Sequence, residues 1–370
     1  MRIIELAQLS SLFAEFASRG YRMIGPTLRD GTIVYDDISG AEDLPQGYGE
    51  SLGRSTYAVI PRDDKAVFGY WTGASTWRKF LIPPRVSLFS AVRSGKGFTV
   101  VPGQKESPRP PIAFVGIRSC DLGALLMYDR VFLNGDYVDP AYLAVRSSAL
   151  LVTVNCTGSG ENCFCASMET GPGAKLGFDI ALTEMIGGGV HHFTAEAGSD
   201  RGSAILEARG FRDASEEEAR AARHAVARGA EAQRKKLDVE DLPRILHENF
   251  DNPVWDDVAR RCLSCANCTM VCPTCFCSTV EDTTDLTGSK AGRVRRWDSC
   301  FTMEYARVAG GNTRPSARAR YRQWLTHKLA HWKDQFGALG CVGCGRCVTW
   351  CPAGIDLTAE VGAIRESLSH

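Results

Sequence analysis

Hydrophobic and polar positions change period along the chain, and each period predicts a different element. The opening segment, MRIIELAQLSSLFAEFASRGYRM, repeats apolar residues at helical spacing with acidic residues between them, which predicts an amphipathic helix. GPTLRDGTIVYDDI and GYGESLGRSTYAVI alternate β-branched and polar residues around Gly and Asp, so both read as antiparallel strand pairs. PIAFVGI (111–117) is continuously apolar and leads through RSCD into the helical LGALLMYDRVF, and SSALLVTVNC (147–156) reads as a second buried strand ending at a cysteine. SEEEARAARHAVARGAEAQRKKL (215–237) then switches to Ala, Arg and Glu with acidic residues at its start, the pattern of a long helix with a solvated charged face. The fold class expected is α+β. A mixed α/β domain spans 1–213, a helical linker 214–250, and a mainly helical domain 251–370, with a helical insertion at 278–340.

Composition narrows the function classes. Lys plus Arg and Asp plus Glu number 43 each, so net charge points neither to nucleic acid nor to an anionic membrane surface. The longest apolar runs, such as ALLVTV, suit buried strands rather than a membrane span, and the start does not read as a signal peptide. The cytoplasm is the expected compartment. Against that ordinary background stand 15 cysteines. An odd, clustered count without a secretion signal argues for metal or redox chemistry over a disulfide framework.

CLSCANCTMVCP (262–273) has the spacing C-x2-C-x2-C-x3-C-P, and CVGCGRCVTWCP (341–352) repeats it, as in two-cluster bacterial ferredoxins. Three thiolates spaced this way wrap one Fe4S4 cube, while the fourth points toward the other cube and the proline turns the chain. The first [4Fe–4S] cluster is therefore expected on Cys262, Cys265, Cys268 and Cys351, and the second on Cys341, Cys344, Cys347 and Cys272. Zinc would favour paired knuckles instead. Cys120, Cys156, Cys163 and Cys165 match the needs of a third [4Fe–4S] cluster, with two of them at predicted strand ends, where α/β domains gather ligands. Buried free thiols are the plainer alternative. Cys275, Cys277 and Cys300 remain unassigned, as three thiols and not four. GNTRPSARARYRQWLTHKLAHW reads as a helix with a basic exposed face and an aromatic core stripe. His191 and His192 are expected in a surface loop. No dinucleotide-binding glycine motif, P-loop or nucleophile–base constellation is present, so no catalytic residue is assigned.

VGIRSCDLGAL, DRVFLNGDYVDPAY, CFCASMETGP, CLSCANCTMVCPTCFC, RRWDSCF, GNTRPSARARYRQWLTHK and FGALGCVGCGRCVTWCPAGID together resemble the hydrogenase/sulfur-reductase beta subunit family over nearly the whole chain. Its members include the iron–sulfur beta subunit of cytoplasmic NADP-linked nickel–iron hydrogenases (sulfhydrogenases) and the A subunit of anaerobic sulfite reductases. The resemblance implies an electron-transfer subunit between a flavin- and NAD(P)-binding subunit and the hydrogenase large and small subunits. A sulfite-reductase-type relay, or a heterodisulfide-reductase-like enzyme with its own active cluster, are the alternatives. One departure is Ala266, where relatives often have glycine. It matters only if that residue needs positive φ.

Overall fold

The computed structural model describes residues 1–71, 73, 75–102 and 110–368. Apart from one pair of two-residue strands, the strands in chain order are β1 (Arg2–Glu5), β2 (Arg22–Arg29), β3 (Thr32–Asp37), β4 (Tyr48–Gly53), β5 (Thr56–Pro61), β6 (Arg85–Ser94) and β7 (Gly97–Pro102). They continue with β8 (Ile112–Arg118), β9 (Leu150–Val154), β10 (Ile180–Gly187), β11 (Val190–Ala197), β12 (Arg212–Asp213), β13 (Ser278–Thr284) and β14 (Lys290–Trp297).

Eight strands form one mixed sheet in the order β12-β1-β11-β10-β9-β8-β2-β3. Its centre is parallel, with β2 beside β8, β8 beside β9 and β9 beside β10. Strands covered on both faces need no polar side, which is why IAFVGIR and LLVTV are buried along their whole length. The helix Ser119–Phe132 starts at the end of β8 and crosses toward β9. Parallel strands end on the same edge, so Cys120, just after β8, and Cys156, just after β9, emerge together.

The antiparallel pairs expected near the N-terminus are β2–β3 and β4–β5. The opening segment differs from its expectation, because its helix starts only at Leu9 and Arg2–Glu5 is a strand paired with β11. Ile3 and Ile4 are fully buried there, and a first turn of helix would not have placed both in the sheet. His191 and His192 lie within β11, not in a surface loop. His191 Nε2 meets Glu184 Oε1 at 2.8 Å, and His192 is buried.

The insertion at 278–340 is helical only in its second half, which corrects the sequence expectation. STVEDTT and KAGRVRRW alternate at period two and close through a turn in which the Asp285 carboxylate accepts from the Ser289 and Lys290 amides. The hairpin extends β6 and β7 into a second sheet, in the order β13-β14-β6-β7. Residues from both halves of the chain therefore share one set of backbone hydrogen bonds. Helical structure resumes with Ala317–Thr326, a π-helical turn at His327–His331 and Trp332–Phe336. Their buried face joins Trp255, Phe301, Tyr321, Trp324 and Leu329 in a second core. The charged helix Glu216–Glu231 opens with a Ser215/Glu218 capping box and buries only Ala222, Ala225 and Gly229. A Cβ on Gly229 would stand 2.5 Å from the Cys156 carbonyl, so this helix passes directly over that cysteine.

Candidate metal centre

The two cysteine runs repeat in conformation as well as in spacing. In the first, Cys262 ends the helix Val254–Arg261 in extended backbone, Ala266 takes φ +69°, and Cys268 lies in the short helix Asn267–Met270. In the second, Gly345 takes φ +75° and Cys347 lies in the short helix Arg346–Thr349. The left-handed residue reverses the chain so that thiols on both sides of it face one space. A Cβ on Gly345 would stand 2.3 Å from the Asn162 carbonyl, so glycine is required there. Ala266 does adopt positive φ, and the alanine there carries a strain of about 1 kcal/mol.

Cys262, Cys265, Cys268 and Cys351 line one cavity, closed by Phe301, Tyr321 and Trp324. Cys272 lies outside that cavity and is gathered with Cys341, Cys344 and Cys347. Cys120, Cys156, Cys163 and Cys165, which come from two strand ends and the following loop, line a third cavity with Arg118 and Gln233. The three groups adjoin, since Cys347 also borders the first cavity and Cys344 the third. Backbone contact fixes the second junction, where the Phe164 amide donates to the Gly343 carbonyl at 2.8 Å.

The donor set fits iron–sulfur cubes. Each group offers four thiols, the first and third around a cavity, and among the described residues no three Cys, His, Asp or Glu stand at the spacing of a single-ion site. Burial pushes the Cys165 thiol up to about 12 and raises those of Cys120, Cys163 and Cys268 as well. Iron binding must therefore displace protons from neutral thiols, which couples loading to folding.

Several polar groups at these centres escaped the sequence reading. Lys328, buried in the π-helical turn, donates from Nζ to Cys272 Sγ at 3.2 Å and to Thr274 Oγ1 at 3.0 Å. Burial opposes its charge, but the sulfur groups of Cys272, Cys275 and Cys341 favour it, outweigh burial and hold its pKa above the ordinary lysine value. A signal was present, because Lys328 falls on the stripe of Tyr321, Trp324, Leu325 and Trp332, where a charge has no place without a partner. At the third group, Arg118 approaches Cys156 Sγ at 3.7 Å while also bonding the Phe68 and Tyr70 carbonyls. Gln233, from the linker, donates to Cys165 Sγ at 3.0 Å. Arg346 and Asp121, both fully buried, form a two-point ion pair at 2.6 and 2.9 Å that clamps the second run to the helix after β8. The basic face of the helix Ala317–Thr326 is occupied locally, with Arg318 on Asp256 and Arg322 over the Phe250 ring.

Cys275, Cys277 and Cys300 stand together beside these groups. The Cys275 thiol adjoins those of Cys272 and Cys277, and the Cys277 thiol adjoins that of Cys300.

A 4Fe-4S dicluster domain model matches residues 261–355. Over the full length of both chains, the sequence is 32% identical to sulfhydrogenase 2 subunit beta of Pyrococcus furiosus. No solved structure matches the chain.

Proposed function

The chain belongs to the hydrogenase beta-subunit family and is an iron–sulfur electron-transfer subunit; from that premise we propose that it relays electrons between a flavin- and NAD(P)-binding subunit and the large and small subunits of a cytoplasmic nickel–iron hydrogenase. The observation that supports a relay is the file of three thiol groups, in which Cys347 and Cys344 each border two neighbouring groups. Cubes held on Cys262/Cys265/Cys268/Cys351, Cys341/Cys344/Cys347/Cys272 and Cys120/Cys156/Cys163/Cys165 supply one-electron chemistry.

The protein's own residues do the rest. Phe301, Tyr321 and Trp324 wall the first centre on its inner side, Lys328 and Arg118 set the local charge at the second and third, and Asp121–Arg346 holds the file in register. The two ends suit two partners. At one end Cys265 and Leu263 are exposed, and at the other a polar cavity lined by Arg62, Asn155, Cys156, Glu184 and Arg228 opens beside the third group. Among the described residues no helix is long and apolar enough to cross a membrane.

Iron and labile-sulfide counting on the anaerobically reconstituted chain tests the number of centres. About twelve irons are expected for three cubes, falling to about eight in Cys163→Ser, whereas about eight in the unaltered chain removes the third centre. Native purification tests the partners. Recovery with flavin- and nickel-containing polypeptides is expected, and recovery with a sirohaem protein would assign the relay to sulfite reduction.

A further inference from the structure

We propose that Cys277 and Cys300 form a redox-active dithiol/disulfide pair, connected through Cys275 to the first and second iron–sulfur centres. The two cysteines flank the open end of the β13–β14 hairpin. Ser278 pairs with Trp297, and the Asp298 amide donates to the Cys277 carbonyl at 2.9 Å, so Cys277 and the segment leading to Cys300 face each other across the last rung. The Cys300 side is held firmly. Asp298 Oδ1 accepts from the Ser299 amide and the Thr302 hydroxyl, and Ser299 Oγ accepts from Thr269 Oγ1 and from the Phe301 amide. The Thr269 contact ties this loop to the short helix that carries Cys268.

Cys275 lies between the centres, since its thiol adjoins Cys272, a ligand of the second, and faces Cys268, a ligand of the first. Its backbone is pinned by the Tyr128 hydroxyl, which donates to the Cys275 carbonyl at 3.0 Å. At the other end the Tyr305 hydroxyl lies against Cys277, and Tyr305 and Met303 reach solvent. The thiols thus run from the space between two one-electron carriers to the surface. A single metal ion does not fit them, as none of the described cysteine groups has single-ion spacing. A fourth cube lacks a thiol, because the next one in the file, Cys272, belongs to the second centre.

The step balances with the carriers already assigned. Two S–H bonds break and one S–S bond forms between Cys277 and Cys300. Two protons leave to solvent past Tyr305, and one electron passes to each of the two oxidised iron–sulfur centres flanking Cys275. The reverse step takes one electron from each reduced centre and two protons from solvent. The pair therefore stores two electrons together beside carriers that move them singly. This rests on the relay reading, and counting iron on the same samples separates failure of one from failure of the other.

The test uses the iron-loaded chain, poised anaerobically over a series of potentials, quenched in acid with chelator, alkylated and digested for mass spectrometry. A Cys277–Cys300 linked peptide is expected to grow with rising potential, its ratio to the dithiol form changing tenfold for each ~30 mV, the slope of a two-electron couple. In Cys300→Ser the iron count stays unchanged and Cys277 is alkylated at every potential. Full alkylation of both thiols throughout in the unaltered chain, with its iron complete, overturns the proposal. Loss of iron in Cys277→Ser or Cys300→Ser also overturns it, by making these thiols metal ligands.

Discussion

Replacing Lys328 by Met removes one buried positive charge from the second centre while nearly keeping the length of the side chain. Lys328 Nζ stands 3.2 Å from Cys272 Sγ. The electron added on reduction spreads over the cube, so an effective separation of roughly 7 Å is reasonable, and at an effective dielectric of about 20 the attraction is about 2.4 kcal/mol. Spread over a one-electron couple, that is an upper figure of about 100 mV, and water admitted by the substitution brings the expected fall to about 50–100 mV. The sign follows from charge. The ammonium stabilises the reduced, more negative state, so its removal lowers the midpoint potential of the second centre. A redox titration followed by EPR measures this, with iron counting to show that the cubes are intact. Thr274→Val serves as the control, because it deletes the other hydrogen-bond partner of Lys328 and leaves the charge in place. An unchanged midpoint in Lys328→Met, or an equal shift at the first centre, would refute the placement of this charge at the second.

Cys272→Ser should weaken the centre held by Cys341, Cys344 and Cys347 more than the one adjacent in sequence; EPR signal loss confined to the nearer centre would contradict the crossed ligation. Ala266→Gly should relieve left-handed strain of about 1 kcal/mol, and so slow thermal loss of the first centre by about fivefold, followed by visible absorbance. Asp121→Asn removes one charge of the buried Asp121–Arg346 pair, and denaturant titration of the iron-loaded protein should show a loss of about 3–5 kcal/mol.

Much of the candidate site could be read from local pattern. The spacing of each cysteine run is a property of one short loop around one cube, so it survives in sequence whatever surrounds it. Cys120 and Cys156 were also readable, because continuously apolar strands announce a parallel sheet and parallel strands end on one edge. The hairpin at 278–297 carries its own period-two alternation, which the expectation of one helical insertion over 278–340 overrides.

The sequence by itself determined the thiol inventory, the repeat, and the strand and helix periods of the N-terminal half, since these depend on residues a few positions apart. Only the tertiary structure decided what meets across long separations. It sets Lys328 against Cys272, Gln233 against Cys165 and Arg346 against Asp121. It also joins β14 to β6, so that the second half completes a sheet begun in the first. Each of these contacts offsets the desolvation of a buried polar group with one partner from elsewhere in the chain, and that partner is chosen by packing rather than by neighbouring residues.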